Sequence, residues 1–282
     1  MPRVRDQTFR AAASAQRLAG ASNPGETGAR ILRAPPPYVP AVPHAFRLKL
    51  ERYARLTGRA PEVAGLLLKS SRGFDPGMHL LRQGEPAGQV FIIKQGWTFT
   101  GSSRPDGARQ VHDVQIPGDV AGLPNYLMPF TLNDVTAITR VEVFEIKADR
   151  LAEATAEDPE LLHFLLWLLS RDIAVAGEHL IGIGRRTAIQ RTAHFILELA
   201  TRLRLAGVDT EIGFACPLTQ YLIGDTLGLT SVHVNRTMRA LRTAGLVQHH
   251  CGWIRLPDKA RLTNLAMFDS TYLDCATQSS SS

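Results

Sequence analysis

Hydrophobic and polar positions change their period several times along the chain. Phe46, Leu48, Leu50, Tyr53 and Leu56 have the spacing of a short helix, and a second short one is predicted over residues 61–69. Between about Gly73 and Arg150 the pattern shortens. Strand-like segments at Gln89–Lys94, Trp97–Thr100, Gln110–Gln115 and Val141–Ile146 lie among the turn-forming runs Asp75-Pro76-Gly77, Gln83-Gly84-Glu85-Pro86, Pro105-Asp106-Gly107 and Pro117-Gly118-Asp119. Short strands punctuated in this way predict an antiparallel barrel or roll. A long helix follows over Pro159–Ile183, opened by Glu157-Asp158-Pro159. Leu162, Leu166, Leu169, Ile173, Ala176, Leu180 and Ile183 repeat at alternating intervals of four and three, a heptad seam, while Leu161, Leu165 and Leu168 form a second stripe. Two stripes fit a helix that packs on its own roll and on the same helix of a second copy, so a homodimer is expected. The rest is helical again from Thr187 to Leu205 and through 219–244, with a strand pair or wing at Val247–Gln248 and Trp253–Leu256. The class is therefore α+β. The expected division is a disordered extension at 1–43, a roll with short leading helices at 44–158, a dimer helix at 159–184, a winged helical domain at 185–265 and a flexible tail at 266–282.

The stretch 219–246 carries the chemistry. Thr219 can cap a first helix and Thr230 a second. Gly224 lies inside the first helix, where glycine costs about 1 kcal/mol against alanine, so close approach of the second helix is expected there. Gly228 supplies the sharp turn. Ile223, Leu227, Leu229, Val234, Met238 and Leu241 hold the two helices together. Outside that packed face stand Ser231, Val232, His233, Asn235, Arg236, Arg239 and Arg242. Arginine can pair bidentately with guanine, and Arg, Ser and Asn can grip phosphate. The pattern is that of a helix-turn-helix with a basic outer face, against the alternative of a helical hairpin with a solvated face.

Charge sharpens this reading. Between Arg185 and Arg261 eleven Lys/Arg face five Asp/Glu, whereas between Arg59 and Gly184 eleven face sixteen. A basic domain suits a polyanion. Cys216, Cys251 and Cys275 are far apart and form no CxxC pair, so neither a disulfide framework nor an iron–sulfur site is expected. No apolar stretch is long enough to span a bilayer and no secretory leader is visible, which predicts a cytoplasmic protein without a membrane partner. There is no Walker loop, metal-ligand cluster or nucleophile motif, so the chain is not expected to be an enzyme.

With these residues in view, the chain resembles the Crp/Fnr superfamily of bacterial transcription factors over roughly residues 46–262. The most specific stretch is Leu227-Gly-Leu-Thr-Ser-Val-His-Val-Asn-Arg-Thr-Met-Arg-Ala-Leu241, supported by Gly77, Gly84-Glu85, Pro105-Asp106-Gly107 and Gly118-Asp119. The resemblance implies a cyclic-nucleotide-binding-like β-roll, a dimer helix and a winged helix-turn-helix that reads an inverted repeat. It implies base reading by Arg236, Ser231 and Val232, and backbone contact by Thr219, Gln220, His233, Asn235, Arg239 and Arg242. Many members carry Glu where Val232 stands, and valine can offer only apolar contact, for example to a thymine methyl. RNA polymerase is an implied partner. Cyclic-AMP-binding members have a Gly-Glu-Leu turn and an Arg-Ser pair; here Gly122-Leu123-Pro124 and Thr131-Leu132 stand there, so no cyclic nucleotide is expected. No Cys precedes Cys216, so the oxygen-sensing cluster is absent, while His79, His112 and His163 leave haem open. The competing reading is a small-molecule sensor acting through a protein partner, which would have no need of Arg236.

Overall fold

The computed structural model describes residues 45–54, 60–104 and 107–274. The expectations for residues 1–43, Pro105-Asp106, Cys275 and the end of the tail lie outside them.

Two short helices, α1 (Ala45–Ala54) and α2 (Ala60–Leu67), precede the roll. Its strands are β1 (Ser71–Phe74), β2 (His79–Leu81), β3 (Gln89–Gln95), β4 (Thr98–Ser103), β5 (Arg109–Gln115), β6 (Val120–Ala121), β7 (Asp134–Ala137) and β8 (Val141–Lys147). They form two four-stranded antiparallel sheets, β1-β8-β3-β6 and β2-β7-β4-β5. The alternation along β3 explains how the layers stack. Phe91 and Ile93 point between the sheets, joining Phe74, Leu80, Leu81, Val135 and Val143 in one apolar core. Val90 and Ile92 point the other way, onto the helices. Strands of two to four residues establish no period of their own, which is why β1, β2, β6 and β7 escape a pattern reading.

A helix not anticipated from sequence, α3 (Ala148–Glu157), leads into α4 (Pro159–Arg185). The Asp158 side chain caps α4 by accepting from the backbone N–H groups of Glu160 and Leu161. Leu161, Phe164, Leu165 and Leu168 are buried against α1, α2 and β3. The opposite stripe is bare in this single chain: Leu162 is 40% exposed, Leu166 50%, Ile173 72% and Leu180 70%.

Then come α5 (Ala188–Leu205), β9 (Phe214–Ala215), α6 (Gln220–Leu227), α7 (Ser231–Thr243), β10 (Gln248–His250), β11 (Trp253–Arg255) and α8 (Lys259–Ala266). Thr187 and Gln190 form a capping box that starts α5. α5 is buried almost all round from Thr192 to Leu205. Its apolar cluster is continuous with Trp97, Phe99, Val111, Val114 and Ile116 of the roll, so one core runs through both halves of the molecule.

The flexible tail expected from residue 266 is not found as far as Asp274. Past α8 the chain turns back over α4 and α5. Leu273 is buried with Val175 and Leu205, the Tyr272 hydroxyl donates to Glu198 at 3.1 Å, and Arg52 donates to Asp274 at 2.8 Å. Phe268, Tyr272 and Leu273 are too few to show a period in sequence, yet enough to bury.

Candidate nucleic-acid interface

The helix pair α6–α7 is built on backbone contact. A Cβ placed on Gly224 would lie 2.4 Å from the Leu229 carbonyl oxygen, so only glycine lets the helices cross this closely. Gly228 ends α6 in the left-handed region at φ 62°, donating to the Gly224 carbonyl. Thr219 and Thr230 cap the two helices, accepting from the N–H groups of Leu222 and His233 at 3.2 Å each. Val234 and Leu241 are fully buried beneath α7, with Ile223 and Leu227 opposite.

This packing leaves the other face of α7 to solvent. Gln220, Ser231, Val232, Asn235, Arg236 and Arg239 line one open groove between the start of α6 and α7. Val232 is 67% exposed. The Asn235 amide donates to Gln220 Oε1 at 3.4 Å, tying the two helices together at the rim. His233 and Arg242 are exposed on α7 but do not line the groove, and the Thr219 hydroxyl oxygen is committed to its cap. Strands β9, β10 and β11 form the wing, in the order β10-β11-β9. At its turn Cys251 is exposed with φ 48°, its sulfur 3.2 Å from His250 Nε2.

Where the roll meets α1, α4 and α5 lies a group of buried charges that sequence reading misses. The Asp119 carboxylate receives Lys49 of α1, Arg171 of α4 at 3.3 Å and Arg202 of α5 at 2.8 Å, and also accepts from the Ile116 N–H. Arg202 further donates to Asp113 at 2.8 Å, to the Val114 carbonyl at 2.8 Å and to Glu198 at 3.3 Å. His179 of α4 lies 3.1 Å from Glu198. Burial alone would raise the acidic pKa values, but the surrounding cations win. Asp119 is held far below the carboxylate range, and His179 and Arg202 hold Glu198 down at about 2. Burial drives Lys49 down to about 8 against the pull of Asp119.

In the roll, Leu123 is buried among apolar side chains. Thr131 spends both backbone groups on the neighbouring turn, donating to the Glu85 carbonyl and accepting from Gly84. The Leu132 N–H donates to Asn125. Neither Thr131 nor Leu132 offers the positive charge of an Arg-Ser pair. His79 and His112 stand on β2 and β5, the two outer strands of one sheet, roughly 14 Å apart by strand spacing. His163 is exposed on α4. Among the described residues no three His, Cys, Asp or Glu side chains converge as metal ligands, and no helix is long and apolar enough to cross a membrane.

Comparison with known proteins joins these parts. Residues 190–265 match the model of the Crp-like helix-turn-helix domain and residues 71–158 that of the cyclic nucleotide-binding domain. The chain is 28% identical over 200 residues to the transcriptional activator protein anr of Pseudomonas aeruginosa, covering 71% of this chain and 82% of that one. It is 32% identical over 164 residues to the nitrogen fixation regulation protein FixK of Bradyrhizobium diazoefficiens, covering 57% and 67%. Its fold is similar to the structure of FixK2 from Bradyrhizobium japonicum at a TM-score of 0.64 and 28% identity, covering 70% of this chain and 96% of that one. With a β-roll, a long helix and a helix-turn-helix of this form, and with relatives of this kind, the chain belongs to the Crp/Fnr superfamily of transcription regulators.

Proposed function

We propose that the protein binds an inverted-repeat DNA operator as a homodimer and regulates transcription initiation through contact with RNA polymerase. The observation that carries the reading is the groove of α7, with Arg236, Arg239, Ser231, Asn235 and Val232 presented together on a rigid helix pair. Arg236, Ser231 and Val232 read bases. Gln220, Asn235 and Arg239 hold the backbone from the groove, and Thr219, His233 and Arg242 hold it from the flanks. The bare stripe of α4 supports pairing with a second copy, which sets two recognition helices on successive major grooves. The roll acts without a cyclic nucleotide, in keeping with Leu123, Thr131 and Leu132 where charge would be needed.

Selection of bound sites from random DNA with the purified full-length protein tests this. An inverted repeat with a fixed spacer is expected, with a preferred base pair lost in Arg236→Ala. A selected pool with no symmetric motif would refute the reading. Calorimetric titration with cyclic AMP and cyclic GMP at micromolar concentrations should give no saturable heat.

A further inference from the structure

Two parts of the molecule are rigidly joined: α4 is locked to the roll by the buried Leu161, Phe164, Leu165 and Leu168. The DNA-binding half is joined to that frame covalently through Arg186, which breaks the helix in an extended conformation at φ −89° and ψ 143°. Helix continuity therefore does not set the angle between the dimer helix and the recognition helix. Something else must.

Directional contacts that can do so run from α4 to α5, where His179 lies 3.1 Å from Glu198, and along one edge of the roll. Arg109 of β5 donates through Nε and Nη2 to Asp225 of α6 at 2.9 and 2.6 Å. Asp113 and the Val114 carbonyl of the same strand, and Asp119 just beyond it, all receive the Arg202 guanidinium of α5. Apolar burial beneath them is strong but non-directional. Charge-assisted bonds from a planar guanidinium to several fixed acceptors are directional. A buried ion network of this kind adds little net stability, and in some systems it serves instead to select one packing geometry.

We propose that β5 and Asp119 form a seat that positions the DNA-binding half against the dimer helix, with Arg202 and Arg109 as positioning residues that determine which half-site spacing the dimer accepts. This rests on the reading of the protein as a dimer on an inverted repeat. In such a dimer the two seats fix the distance between recognition helices, and that distance is read out as spacer length. Arg236 then reads bases and the seat reads spacing, so the two properties are separable by mutation.

The test measures binding of full-length wild type, Arg202→Gln and Arg109→Ala to duplexes carrying the selected half-sites at the selected spacer and at spacers one and two base pairs longer or shorter. A second series keeps the spacer and changes the base pair read by Arg236. Wild type is expected to lose about tenfold or more at each wrong spacer, whereas the variants lose about threefold or less and keep the base discrimination. Variants that weaken every spacer by one common factor, leaving the profile as steep as in wild type, overturn the proposal, because that is the signature of a seat that only stabilises. Should Arg202→Gln fail to fold, Arg109→Ala decides, since that pair is partly exposed; a wild-type spacing profile in Arg109→Ala overturns the proposal. Wild-type protein indifferent to spacing would overturn the operator reading itself and the proposal with it, and no variant enters that result.

Discussion

Gly224 shows how much one missing side chain can determine. Replacing a helical glycine with alanine ordinarily stabilises by about 1 kcal/mol. Here the added methyl would meet a carbonyl oxygen at 2.4 Å, so the sign reverses. Gly224→Ala is expected to lower the denaturant midpoint and to weaken operator binding, as α7 is pushed off its crossing; a variant as stable as wild type would show that the helices can part at no cost. Arg236 and Arg239 differ in another way, although they share the groove. If Arg236 reads guanine, Arg236→Ala should lose about 1–3 kcal/mol per half-site and relax one base position. If Arg239 meets a phosphate, Arg239→Ala should weaken all sequences alike and flatten the salt dependence. Binding isotherms at several salt concentrations separate the two. Gly224 and Gly228 are legible in sequence because local rules govern them. Asp119 is not: its turn is, since Gly118 takes φ 87°, but its cations come from positions 52 to 83 residues away in the chain, and no short-range pattern encodes them.

At the scale of elements, α4 was open to reading because its two stripes follow two regular spacings. The exposed one is the proposed dimer face. Ile173→Glu and Leu180→Glu, at positions that touch no core of their own chain, should yield folded monomers by light scattering with operator binding lost; a variant that remains dimeric places the interface elsewhere. Leu169 is a poorer choice, since it packs partly against its own core. The inner face of α5 makes a prediction about pH. His194 is buried against Phe268 and Tyr272, with Glu178 3.3 Å from Nε2 but out of hydrogen-bonding line. Burial, aided by Arg186, lowers its pKa to about 4 from 6.5. The unfolded chain therefore takes up a proton first as pH falls from 6.5 towards 4, and stability is lost over that window. Nearby His179 works oppositely: its pKa is raised through Glu198 despite burial, so its contribution is present below 6.5 and lost as pH rises above it. His194→Phe keeps the ring packing and removes the titration. The fall in melting temperature between pH 6.5 and 5 should be smaller in that variant than in wild type, and an equal fall would assign the acid sensitivity to other groups.

The order of roll, long helix and helix-turn-helix follows from the changing period along the chain, but the way the halves meet does not. Docking depends on β5 presenting Val111 and Val114 to α5, and on a returning C-terminal segment whose apolar residues are scattered among polar ones. These are tertiary facts, fixed by surfaces that exist only after each half has formed. Their thermodynamic consequence is cooperativity. Two domains joined by a linker would melt separately, as multidomain proteins commonly do. Here Trp97, Phe99, Val111 and Val114 of the roll lie in the same buried cluster as Phe195, Leu199 and Leu203 of α5. Leu273, 2% exposed, closes the joint from the far side against Val175 of α4 and Leu205 of α5. Calorimetry of the full chain should therefore show one main transition, its midpoint rising with protein concentration as the proposed dimer requires. Leu273→Ala removes a buried side chain at the joint and should cost about 2–5 kcal/mol. If the halves are energetically one body, that loss moves the whole transition down in temperature without dividing it. Two resolved transitions in wild type, or a variant in which only the DNA-binding half melts early while the roll and α4 keep the wild-type midpoint, would mean that the shared core does not couple the two halves.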